Sequence, residues 1–181
     1  MPKAPKIEII ARGLLIHEGR VLLCQNNKVG YYYLPGGHVE FSEPAAYALK
    51  REMIEECGQS VEVGPLLIST EQVFQGPKRM HHEINLVFHM EQLGGKRTPP
   101  ETVQSIEEQI SFDWIELAQL HETDLRPDEL KAWLMSGGRG PTARPTRLYD
   151  PSHHHRCHHR HPPRHHDRYT TLNLSQAHDS A

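Results

Sequence analysis

Apolar and polar positions alternate with two different periods along the first 136 residues. Ile7 to Ile16 is rich in aliphatic and β-branched residues, His17-Glu18-Gly19-Arg20 supplies a glycine turn, and Val21 to Gln25 resumes the apolar run. This pattern predicts a β-hairpin. After a polar loop at Asn26 to Gly30, three tyrosines lead through Leu34 and Pro35 into Gly36-Gly37. The period then changes. Ala45, Ala46, Leu49, Met53 and Cys57 fall on one stripe at helical spacing, with Pro44 before them and Gly58 after. Proline is tolerated in a first helical turn and glycine suits a helix end, so a helix is predicted from about Pro44 to Gly58.

Beyond the helix, Val61 to Val63 and Leu66 to Phe74 read as extended, and Glu83 to Met90 forms another strand with Ile84, Leu86, Val87 and Phe88 as its apolar set. Gly94-Gly95 turns the chain, and Lys96 to Ser105 is a polar, proline-containing loop. Ile110 to Ile115 is a last strand, and Pro127 to Met135 is a closing helix with Leu130, Trp133 and Leu134 inward. The predicted class is α/β, with strands and helices mixed and not strictly alternating. One domain spans residues 6–136. From Gly137 the character shifts: seven Lys+Arg stand against three Asp+Glu, and nine of the fifteen histidines lie there among Arg and Pro. Such a segment cannot bury a core, so residues 137–181 are expected to be a disordered tail.

Charge sharpens the division. Residues 1–136 carry 13 Lys+Arg against 20 Asp+Glu, a formal −7, whereas the tail carries +4. No apolar run approaches a membrane span, and the first residues, MPKAPKIEII, lack a signal-peptide core, so a cytoplasmic location is expected. Cys24, Cys57 and Cys157 are too few and scattered for a disulfide framework. Imidazoles with one thiol suit Zn, Ni or Cu ions, which makes the tail a candidate transition-metal binder, although no fixed ligand spacing defines a tetrahedral site. The tail has no lysine and no aromatic platform, and nucleic-acid binding is not expected.

The candidate chemistry lies on the first helix. Glu52, Glu55 and Glu56 fall within about a third of its circumference. Like charges at these spacings cost a bare helix roughly 0.2–0.5 kcal/mol per pair, so the cluster calls for a neutralising cation; the alternative is a solvated acidic face. Carboxylates are hard oxygen ligands and point to Mg²⁺ or Mn²⁺, ions that bridge to phosphate oxygens.

Gly37, Glu43, Arg51, Glu52, Glu55, Glu56 and Gly58 stand at the spacing Gly-x5-Glu-x7-Arg-Glu-U-x-Glu-Glu-x-Gly-U, where U is aliphatic. The stretch resembles the signature of the Nudix, or MutT-like, hydrolases. Met53 is acceptable at the first aliphatic position; Gln59 departs from the second, with Val61 the nearest apolar residue. The resemblance implies a mixed sheet sandwiched between helices (α/β/α) and cleavage of a nucleoside diphosphate linked to another group X. It also implies Glu52, Glu55 and Glu56 as metal ligands with the Gly37 carbonyl, Glu56 alternatively as proton acceptor, and Glu43 with Arg51 as an ion pair that aims the ligands. A loop carboxylate before the last strand is implied as base or further ligand. Glu108 or Glu107 fits it, and Glu101 is remoter. Arg12 is the residue expected near the substrate phosphates, with a solvent-facing position at a sheet edge as the alternative. Tyr32, Phe74 or Phe88 are candidates to stack on a ring, and His81, His82 and Glu83 to meet a polar substrate. A binding module of the same fold without turnover is the competing reading; all three helix glutamates being present argues against it.

Overall fold

The computed structural model describes residues 6–76, 79–96 and 98–138, and the His-rich tail with Cys157 lies outside the described residues. In chain order the elements are β1 (Ile7–Leu14), β2 (Ile16–His17), β3 (Arg20–Asn26), β4 (Tyr32–Tyr33), α1 (Ala45–Cys57), β5 (Val61–Gln75), β6 (Met80–Leu93), β7 (Ile110–Glu116) and α2 (Asp128–Met135), with a 3₁₀ turn at Leu117–Glu122. Two sheets form. In the first, β6 is central, parallel to β1 and antiparallel to β5. In the second, β7 lines β3 along its length while β2 and β4 pair with its two ends.

The predicted hairpin is therefore only partly correct. β3 pairs with the two-residue β2 (Ile16↔Val21, His17↔Arg20), and Leu22 adds one bond to the Leu15 carbonyl. β1 itself turns away to β6, some seventy residues on, where each residue from Ile7 to Leu14 has a parallel partner. Short-range periodicity carries no information about such a remote partner. The strands at Val61–Val63 and Leu66–Phe74 are one element, β5, with register shifts between Glu62 and Ile68 around Gly64-Pro65.

Side chains leave the fully buried part of β3 in both directions, as expected for strands covered on two faces. Leu22 and Cys24 join Ala11, Ala48, Leu49, Met53, Met90 and Phe112 in a core under α1. Val21 and Leu23 join Leu14, Leu34, Val87, Leu125, Leu130 and Trp133 in a second core under α2. The helices thus cover opposite faces, an α/β/α sandwich. α1 ends as its sequence dictates: Gly58 takes a left-handed conformation (φ 68°) and its N–H donates to the Ile54 carbonyl at 2.9 Å. Among the described residues no helix is long and apolar enough to cross a membrane.

Leu49 is fully buried where α1 meets the sheet. Leu49→Ala is expected to cost roughly 2–5 kcal/mol, measured as a fall in the urea midpoint with unchanged slope.

Candidate active site

The segment from Pro35 to Val39 runs along the free edge of β1. Gly13 N–H donates to the Pro35 carbonyl, Ala11 N–H to the Gly37 carbonyl and Val39 N–H to the Ile9 carbonyl, each at 2.9 Å. Gly36 sits at φ 115°, and a Cβ there would meet the Ala11 carbonyl oxygen at 2.2 Å, so only glycine fits. Gly37 is needed for a different reason. A Cβ on it would stand 2.4–2.6 Å from the Glu52 carboxylate atoms. The missing side chain is the space into which the first helix glutamate projects.

The Gly37 carbonyl expected as a ligand accepts the Ala11 N–H of β1 at 2.9 Å with one of its two lone pairs. The Gly36 oxygen accepts from Arg12 Nη1, and its N–H points at Glu56 Oε2 (3.4 Å). Sequence spacing places the turn but not the direction of each peptide within it.

Glu52, Glu55 and Glu56 differ in setting although they share one helix face. Glu55 is exposed, Glu52 is half-buried, and Glu56 is buried at 7 % exposure. Burial pushes the Glu56 carboxyl up to about 7; Arg12 and the Gly36 N–H pull it down, and Glu52 and Glu107 push it further up. Arg51 ties the cluster together. Its Nε and Nη2 hold both oxygens of Glu43 at 2.9 Å, Nη1 reaches Glu52 at 2.9 Å and Glu55 at 3.0 Å, and Nη2 also donates to the His38 carbonyl at 2.9 Å. The fork matches carboxylate geometry. Glu43 sits below the ordinary carboxylate range chiefly through its hydrogen bond from Arg51. The repulsion expected along this helix is therefore partly cancelled within the chain.

Arg12 is not a freely solvated edge residue. Besides Gly36 it donates to the Leu34 carbonyl (3.1 Å) and to Asn85 Oδ1 (3.4 Å), and it lies 4.9 Å over the Tyr33 ring. Of the late-loop glutamates, Glu107 is the one whose charge is felt at Glu56. The loop is fixed there because the Glu56 carbonyl accepts the Ile106 N–H at 2.7 Å and the Ser105 hydroxyl at 3.4 Å. Glu108 is exposed and contributes its own carbonyl to Asn27 (3.0 Å), so the structure brings Glu107, not Glu108, toward the helix.

The remaining expected residues divide. The Tyr32 hydroxyl donates to Asp113 (3.3 Å), and Tyr33, not Tyr32, is the tyrosine that meets Arg12. Phe74 stacks on His81 (5.1 Å between centroids), and Glu83 accepts from Gln72 (3.3 Å). These two lie at the far end of β5 and β6, around Glu8, and not among the α1 carboxylates. Asn85 and Gly36 escaped the sequence reading; only the side-chain contact with Arg12 singles out the first.

The donor set fits a divalent cation of the Mg²⁺ or Mn²⁺ kind. Glu52, Glu55 and Glu56 offer oxygens only, and a carboxylate buried as deeply as Glu56 gains most from a nearby positive charge. The family profile of the NUDIX domain matches residues 8–134. Solved structures share the fold: the E. coli ORF135 protein (24% identity, TM-score 0.56, covering 72% of this chain and 90% of that one), a MutT NUDIX hydrolase from Burkholderia pseudomallei (23%, 0.53, 63% and 86%) and a MutT protein from Methanosarcina mazei Go1 (23%, 0.56, 72% and 91%).

Two outcomes are expected. Gly37→Ala is expected to push the Glu52 carboxylate aside and lower kcat about 10- to 100-fold, while the melting temperature moves by only a few degrees, because the clash is with a flexible side-chain end. In metal-free protein the raised Glu56 pKa contributes stability that is complete below the unfolded value and is lost as pH rises through about 7. Glu56→Gln should match wild type near pH 4 and exceed it by roughly 3 kcal/mol at pH 8.5, as read by denaturation in chelator.

Proposed function

Because the chain belongs to the NUDIX domain family of pyrophosphohydrolases, we propose that it cleaves the pyrophosphate bond of a nucleoside diphosphate linked to another group X, with Mg²⁺ or Mn²⁺. The observation that carries this reading is that Glu52 and Glu56 meet the Gly36-Gly37 turn while Arg51, held by Glu43, joins Glu52 to Glu55. When bound, the metal neutralises phosphate charge and acidifies the attacking water.

The chain's own groups do the rest. Glu52, Glu55 and Glu56, with a carbonyl of the Gly36-Gly37 turn, would be the oxygens that hold the ion. Water oxygen attacks one phosphorus, the bond from that phosphorus to the bridging oxygen breaks, and the water proton passes to a carboxylate. Glu56, buried beside the turn, is either a ligand of that ion or the carboxylate that takes the proton. Glu107, whose charge reaches Glu56, is the second acceptor. Arg12 presents a guanidinium beside the same turn, where it neutralises a phosphate or fixes the turn's carbonyls.

The test is a Mg²⁺-dependent hydrolysis assay over a nucleotide panel, with products identified. Wild type should turn over at least one nucleoside diphosphate derivative, and Glu56→Gln should lower kcat by about 10³ or more with KM little changed. A mutant as active as wild type rules out the assignment. Tight nucleotide binding without turnover by wild type would instead favour the binding-module reading.

A further inference from the structure

Four residues before Arg12 on β1 stands Glu8, which is buried at 5 % exposure in a strand otherwise dominated by aliphatic residues. Its partner in the parallel register with β6 is Glu83. Two carboxylates directly across a strand pair repel each other. On the same strand His81 brings Nδ1 to 2.9 Å from Glu8 Oε2. One ligand atom from each of Glu8, His81 and Glu83 lies within 4.8 Å of the others.

The surroundings hold these groups in place. The His81 ring stacks on Phe74 with an interplanar angle of 10°. On another side it lies against Gly76, where a Cβ would stand 2.7 Å from its Cδ2. The two oxygens of Glu8 have different neighbours. Oε1 accepts from Arg79 Nη2 at 2.7 Å, with His38 Nε2 at 3.7 Å and Lys6 Nζ at 3.9 Å, whereas Oε2 faces His81. Arg79 thus neutralises one side of Glu8, and among the described residues Glu83 accepts from the Gln72 amide.

We propose that Glu8, His81 and Glu83 form a second metal site, for a transition-metal dication of the Zn²⁺ kind, distinct from the carboxylates of α1. One imidazole nitrogen and two carboxylates make a three-ligand set that Zn²⁺ accepts, with a further position for water; an ion of the Mg²⁺ kind prefers oxygen alone. Arg79 and His38 on Oε1 then act as the outer partners that orient a ligating carboxylate. The ion replaces the proton shared between His81 and Glu8 and removes the repulsion across β1 and β6. It ties the open ends of the two strands together.

The test measures the melting temperature of the full-length chain with and without ZnCl₂, in the Glu56→Gln background. Glu83→Gln and His81→Gln are each added to that background; neither strips Glu8 of Arg79. All three chains keep every other histidine and carboxylate, so differences between them report this cluster alone. The expected result is a rise of roughly 5 °C at a hundredfold excess over Kd in the Glu56→Gln chain, reduced by half or more in each double variant. An undiminished rise in either double variant, or no rise in the Glu56→Gln chain, overturns the proposal.

Discussion

Three backbone hydrogen bonds, from Ala11, Gly13 and Val39 across the edge of β1, determine most of what this protein can do. They lay the Gly36-Gly37 turn along a strand that is itself locked to β6 over eight residues. A turn fixed in this way cannot drift relative to the sheet. Helix α1 is anchored on that sheet through Leu49 and Met53, so its carboxylates meet the turn at a distance set by two independent attachments. Positioning to a fraction of an ångström is what an in-line displacement requires.

β1 also organises the surface beyond the turn. Glu8, Ile10 and Arg12 leave it on one face because side chains alternate along a strand. Arg12 lies toward the turn and the helix glutamates, and Glu8 toward the ring of His81 and Phe74. A strand whose other face is aliphatic thus carries two charged stations about 13 Å apart by the rise per residue.

The helix and its glutamates were legible in the sequence because one local period encodes both the packing stripe and the acidic face. Leu130, Trp133 and Leu134 were legible for the same reason. The partner of β1 was not, since the pairing of Ile9 with Ile84 is decided by the whole fold and leaves no mark near either residue. Peptide orientation is hidden in a related way: a Gly-Gly pair announces a turn, yet that the Gly36 N–H faces Glu56 depends on the hydrogen bonds to β1. Glu107 and Glu108 are neighbours in sequence, and only the bond from the Ile106 N–H to the Glu56 carbonyl tells them apart. Glu8 carried a signal, a carboxylate in an aliphatic run, whose meaning depended on His81 and Glu83 arriving from another strand.

Arg51 has a consequence for how the site fills and empties. Its guanidinium already occupies one oxygen of Glu52 and one of Glu55, so it keeps the two carboxylates gathered against their own repulsion. An incoming cation must outcompete a tethered single charge. Monovalent ions at cellular concentration gain little by that exchange, whereas a dication gains more on each carboxylate. Occupancy of such a site would be a swap of one counter-charge for another, not the filling of a bare acidic patch.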